Sequence, residues 1–248
     1  MKKELEQAIT ILSNSRKVVV STGAGVSRES GIPTFRETQK GLWANFDPEE
    51  LATLEGFLKN PAMVWNWYQD RIKQIKEVKP NPGHYAIAEM QDIFEEFYLI
   101  TQNIDNLHQK AGSKNVCELH GNILQFKCLE ENTIVENWPD TDQVPPRCGN
   151  CNGMIRPNVV WFGEALPEKE LSFAFHIAAN CDVMIVAGTS GLVQPAASLP
   201  LIAKRSSNAS IIEVNPQKSA ITPVADVFLQ STSGNILPEL LEKLKHKF

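Results

Sequence analysis

Four strings in this chain have residue types and spacings that chemistry could use. Gly23-Ala24-Gly25-Val26-Ser27-Arg28-Glu29-Ser30-Gly31 follows a short apolar run. Glycines at a strand-to-helix turn let the backbone approach a pyrophosphate and aim N–H groups at it. Arg28 stands where a dehydrogenase fingerprint wants its third glycine, so the string alone marks a tight turn as readily as a dinucleotide site. Thr101-Gln102-Asn103-Ile104-Asp105-Asn106-Leu107-His108 sets amides and a carboxylate after another apolar run; Asn103 or Asp105 would equally serve as a helix cap. His120 lies between a short apolar run and Gly121, and an imidazole on a loop suits proton transfer near neutral pH. Finally, Cys148-Gly149-Asn150-Cys151 is a C-x-x-C pair, while Cys128-Leu129-Glu130-Glu131 puts a glutamate where a matching pair would have its second cysteine.

These groups need a scaffold. Leu5, Ala8, Ile9 and Leu12 fall at helical spacing, and Lys17 to Ser21 is a β-branched run leading into the glycines: helix, buried strand, tight turn. Phe97–Thr101, Asp182–Ala187, Ser210–Val214 and Asp226–Leu229 are further short apolar runs, and a last helix is expected over Ile236–Lys245. Such alternation predicts an α/β fold, a doubly wound, Rossmann-like parallel sheet with helices on both faces. Gly188-Thr189-Ser190 and Asn215-Pro216 repeat the pattern of polar groups at strand ends, so several ends would converge on a crevice for an extended ligand. Two stretches break the alternation: a helical pair within 35–79, carrying Trp43, Phe57, Trp65 and Trp67, and the polar segment between Cys128 and Cys151. They are expected to form a smaller inserted helical and zinc-ribbon-like module over 35–79 and 121–157. The sheet domain would then occupy 1–34, 80–120 and 158–248.

Composition narrows the function. With 24 Lys+Arg against 29 Asp+Glu the net charge is −5; no basic stripe offers itself to a phosphate backbone, so nucleic acid is not an expected partner. Glu4, Glu6 and Gln7 interrupt the apolar residues of the amino terminus, and no apolar run approaches the ~18 residues of a membrane span. The clustered cysteines, five in number, point to a reducing compartment; the expectation is a cytoplasmic protein without membrane contact. Cys117 and Cys181 sit in apolar segments and are expected to be core thiols.

The strings GAGVSRESGIPTFR (Gly23 to Arg36), TQNIDNLH (Thr101 to His108), LHG (Leu119 to Gly121), RPNVVWFGE (Arg156 to Glu164), GTS (Gly188 to Ser190) and EVN (Glu213 to Asn215), in that order, resemble the sirtuins, NAD-dependent protein-lysine deacylases. The resemblance implies that Gly23, Ala24, Gly25 and Ser27 hold the NAD pyrophosphate and that Phe35 and Arg36 belong to a loop covering the cofactor. Gln102, Asn103 and Asp105 would line the ribose and nicotinamide pocket. Gly188, Thr189, Ser190 and Asn215 would surround the adenosine half, with Ser233 also among the cofactor residues. His120 would be the catalytic base. A strand Val159, Val160, Trp161, Phe162 and Gly163 would pair with the backbone of an acyl-lysine peptide or protein. NAD would be consumed: the acyl oxygen attacks the ribose as nicotinamide departs, His120 deprotonates a ribose hydroxyl that attacks the resulting imidate carbon, and water completes the release of lysine and O-acyl-ADP-ribose.

Tyr68 and Arg71, at i and i+3 of one helix, offer a phenol and a planar guanidinium. That pair resembles the mark of the bacterial branch that removes succinyl and malonyl groups, which implies desuccinylase and demalonylase activity with deacetylation retained. Sirtuins usually carry a structural zinc held by two C-x-x-C pairs. Here Cys128, Cys148 and Cys151 would be its ligands, with Glu131 as an uncertain fourth; the alternative is a decayed site. An oxidoreductase, a protein ADP-ribosyltransferase and a catalytically silent NAD sensor remain competing functions.

Overall fold

The computed structural model describes residues 2–33, 51–139 and 142–247; Phe35, Arg36 and Trp43 lie outside them. The amphipathic helix α1 (Lys2–Ser13) leads into β1 (Lys17–Thr22), and two 3-10 turns, Ala24–Val26 and Arg28–Ser30, take up the glycine string. Then come α2 (Leu54–Lys59), α3 (Pro61–Glu77), α4 (Pro82–Met90), β2 (Glu96–Thr101), α5 (Leu107–Lys110), β3 (Val116–Glu118), β4 (Gly121–Cys128) and β5 (Ile155–Val159). The chain closes with α6 (Glu168–Ala178), β6 (Val183–Ala187), α7 (Leu199–Ser206), β7 (Ser210–Val214), β8 (Val227–Leu229) and α8 (Ser233–Lys245).

The large sheet has six strands in the order β3-β2-β1-β6-β7-β8, and all of its pairings are parallel. From β1 the chain winds outward through β2 and β3, then returns to the other side of β1 with β6. Strand order therefore reverses beside β1, and in open α/β sheets ligands bind at the carboxyl edge of that switch point. Both faces are covered, as strands of unbroken apolar residues require. Val18 and Val20 point into a cluster with α1, α4 and α8, whereas Val19 between them points into a second cluster with α6 and α7. A third apolar cluster gathers α2, α3, the antiparallel β4–β5 pair and Trp161.

Two expectations need correction. The expected strand Val159–Gly163 is not one: β5 ends at Val159, and the chain turns, with Glu164 N–H donating to the Trp161 carbonyl (3.0 Å) and Gly163 at φ 84°. The side chain of Glu164 also accepts from Trp161 N–H (2.8 Å), and that contact favours the turn over an extended run. The last helix starts at Ser233, before Ile236. Glu29, distant in sequence, accepts from Gly234 N–H (2.7 Å) and from the Thr232 hydroxyl (2.8 Å), which satisfies a first-turn donor that the local sequence leaves open. Cys117 and Cys181 are buried thiols.

Candidate active site

Four turns meet at the switch point, with the turn after β6 at their centre. After β1, Gly25 N–H donates to the Gly188 carbonyl (2.8 Å), and a Cβ on Gly25 would stand 2.7 Å from that oxygen; only glycine permits the β1 and β6 turns to pack so closely. After β2, Gln102 Nε2 reaches the Thr189 hydroxyl (3.3 Å). After β7, Asn215 Nδ2 donates to the Thr189 carbonyl (2.8 Å). Ala24 is exposed, and Gln102, Gly188, Thr189, Ser190, Asn215 and His120 are partly so: together they form a rim of turn backbone, amides and hydroxyls. Such a donor set, without a carboxylate on the rim, fits the phosphates and riboses of a dinucleotide. Ser233 is buried at the start of α8 with its backbone against Gly83, and α8 touches the Ala24–Val26 turn.

Beneath the rim is a buried polar floor. The Ser27 hydroxyl donates to Asp105 Oδ2 (2.6 Å) and accepts from Asn103 Nδ2 (3.0 Å), so its side chain is turned inward and not towards the crevice. Asp105 also caps α5 through Leu107 N–H (2.9 Å), which makes the capping and pocket roles compatible. Burial raises its pKa against the pull of Ser27. His84 and His108 also belong to the floor. His84 Nδ1 accepts from Asn81 N–H (3.3 Å), which leaves Nε2 as the donor towards Ser27 (3.4 Å). Its signal was the capping box that Asn81 opens, with His84 at the third position. His108 Nε2 meets the Thr22 hydroxyl (3.0 Å), and its ring stands 4.8 Å from that of His84. Burial lowers both, His84 to about 4 and His108 well below its ordinary value: both imidazoles are neutral.

His120 occupies the short link between β3 and β4. Its Nδ1 lies 3.0 Å from the Gln102 carbonyl; a carbonyl only accepts, so Nδ1 carries the proton and Nε2 of the neutral ring keeps its lone pair. Burial lowers the pKa, partly offset by that bond. The carbonyl of His120 in turn accepts from Val160 N–H (2.9 Å), and Phe162 N–H donates to Ala52 O (2.8 Å). The 159–163 segment is thus fixed beside the imidazole.

Trp161 is the largest fully buried side chain among the described residues. The guanidinium of Arg156 lies 3.2 Å from its ring centroid; Arg156 also donates to the Val159 carbonyl (2.7 Å) and pairs with Glu164. Burial raises the Glu164 carboxyl, but its bonds to Arg156 and Trp161 outweigh that, and its pKa falls. Trp161 Nε1–H donates to the Tyr68 hydroxyl (2.8 Å). Tyr68 is buried and its pKa is pushed up to about 12, by burial first. One turn along α3, Arg71 lies over the Trp67 ring (4.9 Å) and makes no ion pair among the described residues. Arg156 and Glu164 escaped the site reading because their contact with Tyr68, through Trp161, spans most of a hundred residues of sequence.

The cysteine group is compact. One ligand atom from each of Cys128, Glu131, Cys148 and Cys151 lies within 4.8 Å of the others, with Cys128 Sγ to Cys151 Sγ at 3.4 Å and Cys148 Sγ to Glu131 Oε2 at 3.9 Å. A zinc tetrahedron with Zn–S near 2.3 Å has edges of about 3.8 Å, so this donor set fits zinc with Glu131 inside it. Four protein ligands would close the shell, as in structural sites.

The Sir2 family model matches residues 23–195, from the first glycine of the turn through the β6 loop. The NAD-dependent protein deacylase of Pyrococcus furiosus is 49% identical over 97% of this chain and 98% of its own. A crystal structure of a Sir2 homolog–NAD complex superposes with a TM-score of 0.90 at 44% identity, covering 97% of this chain and 94% of that one. Sir2Af2 bound to a myristoylated histone peptide superposes with a TM-score of 0.78 at 35% identity, covering 99% and 98%. The family match from residue 23 to 195 and these similarities along nearly the whole chain place it in the Sir2 family.

Proposed function

We propose that the chain is an NAD-dependent protein deacylase that removes acyl groups from lysine side chains, with a preference for acyl groups ending in a carboxylate. The observation that carries the chemistry is the bond from His120 Nδ1–H to the Gln102 carbonyl, which orients a neutral imidazole with Nε2 free to take a proton. NAD, when bound, supplies an ADP-ribose that accepts the acyl group as nicotinamide leaves. Gly23, Ala24 and Gly25 would hold its pyrophosphate; Gln102, Asn103 and Asp105 its ribose and nicotinamide; Gly188, Thr189, Ser190 and Asn215 its adenosine half. Ser27 would act from below, keeping Asn103 and Asp105 in place. His120 Nε2 takes the proton of a ribose hydroxyl, and a base whose pKa lies below neutrality is ready to do so at pH 7.

The acyl-lysine peptide would lie along Val159 to Gly163, drawing on backbone groups that are indifferent to sequence. Tyr68 and Arg71 would receive the far end of the acyl chain. A phenol that stays protonated and a guanidinium with no carboxylate partner among the described residues suit an anionic terminus. Zinc, held by Cys128, Cys148 and Cys151 with Glu131, would brace the β4–β5 module and take no part in the reaction. The test is mass spectrometry of the protein with NAD and matched acetyl- and succinyl-lysine peptides. Free lysine, nicotinamide and O-succinyl-ADP-ribose in equal amounts, faster than the acetyl series, support the proposal. Nicotinamide without deacylation would point instead to ADP-ribosyl transfer or NAD hydrolysis.

A further inference from the structure

We propose that Trp161 is a specificity-determining residue that makes the acyl site donor-only, so that it accepts acyl-lysines whose far end is an acceptor and rejects those whose far end carries N–H groups. This rests on the reading that Tyr68 and Arg71 meet the acyl terminus. A phenol both donates and accepts, and could by itself greet a carboxylate or a carboxamide. Here its oxygen already accepts from Trp161 Nε1–H at 2.8 Å, which leaves the O–H to point elsewhere. Arg71 has donors and no acceptor. A carboxylate finds partners at both side chains; the NH₂ of a carboxamide finds none.

The indole cannot turn away to release Tyr68. Its ring is stacked under the Arg156 guanidinium at 3.2 Å and packs on Phe57 at 5.2 Å. Its backbone N–H is held by Glu164 at 2.8 Å, the carboxylate that also pairs with Arg156. Arg156 and Glu164 are therefore positioning residues, acting on the acyl terminus through Trp161.

The test compares three lysine peptides in KM and kcat: succinyl, succinamoyl, and 4-oxopentanoyl, in which a methyl group replaces the NH₂ of succinamoyl at nearly equal size and charge. An unpaired buried N–H costs about 1–3 kcal/mol, so the wild-type enzyme should show a KM for succinamoyl-lysine roughly tenfold above that for 4-oxopentanoyl-lysine. Trp161→Phe keeps the ring and frees the Tyr68 lone pair, and should narrow that gap several-fold, with thermal unfolding as the check on folding. Equal KM values for the two neutral peptides in the wild type overturn the inference, whether or not the variant folds. A gap unchanged in a folded Trp161→Phe protein also overturns it. Loss of the underlying reading looks different: succinyl- and acetyl-lysine would then respond equally to Arg71→Met, and the inference would fall with it.

Discussion

The crevice at the switch point and the module built on α2, α3 and β4–β5 solve the same problem, holding polar groups away from water, in opposite ways. In the crevice the buried groups are uncharged or share one carboxylate: Ser27, Asn103, Asp105, His84 and His108 form a bonded floor in which burial keeps both imidazoles neutral. In the module, charge is retained and compensated. Arg156 is 1% exposed yet faces Glu164 and the Trp161 ring, and the side chains of Cys128, Glu131, Cys148 and Cys151 converge where a divalent cation would be held. A floor whose imidazoles stay neutral suits a site that must accept a large charged cofactor and let go of its parts. A compensated charge suits a site that must hold one shape, because breaking one partner leaves the other buried and unpaired.

That contrast can be broken most directly at the imidazole between the two regions. His120→Ala should lower kcat for deacylation by ~10²–10⁴-fold, or about 3–5 kcal/mol, while NAD affinity changes little; isothermal titration beside steady-state kinetics reads both. Unimpaired turnover would remove His120 from the base role. In the wild type, loss of activity at low pH should follow a pKa below the ordinary 6.5, because protonated His120 cannot act and burial holds its pKa down.

The neutral imidazoles make their own prediction about stability. The unfolded chain binds a proton at His84 near pH 6.5, whereas the folded protein resists it to about 4. The unfolded state therefore holds more protons across that window. Stability should be full above about pH 6.5 and fall by about 3 kcal/mol as the pH drops to about 4, with His108 steepening the loss. Urea unfolding at several pH values would show it, and a His84→Gln protein should have the shallower slope. An unchanged slope would mean that the floor does not set the acid response.

On the module side, Arg71→Met should raise KM for succinyl-lysine about tenfold or more and alter acetyl-lysine far less, since only the former has a carboxylate to lose. Equal effects would make Arg71 a packing residue over Trp67. The smallest effect is expected from Glu131→Gln: zinc content after competition with a chelator should show affinity weakened roughly tenfold, whereas Glu131→Cys should bind at least as tightly as the wild type. Identical affinities for wild type and Glu131→Gln would leave zinc with three protein ligands.

The two regions also differed in how readable they were. Strands buried on both faces appear in the chain as short β-branched runs, so β1, β2, β6, β7 and β8 were visible, and with them the crevice their ends create. The three residues of β3, Val116–Glu118, are too few to show a period. β4 hides behind Gly121, Asn122, Gln125 and Lys127, and β5 contains Pro157, tolerated because the β4 register is irregular opposite it, between Asn122 and Phe126. The apolar run at Val159–Phe162 read as a strand, but the Glu164 side chain and the conformation of Gly163 turn it. Tyr68 and Arg71 were legible as a pair on one helix. What fixes Tyr68 was not, because the Trp161 indole arrives from a distant part of the chain and no local pattern records it.

The link between β3 and β4 has one more consequence. Leu119 and His120 alone separate the large sheet from the small one, and Val160 returns across the same boundary on a hydrogen bond to His120. Were the two sheets to move relative to each other, the imidazole would stand near the pivot, as a pin does in a door. A point on the axis hardly travels when the leaf swings, so widening the cleft to admit a long dinucleotide on one side and a peptide on the other need not dislodge Nε2. The reacting proton would find its acceptor at the same place whichever ligand entered first.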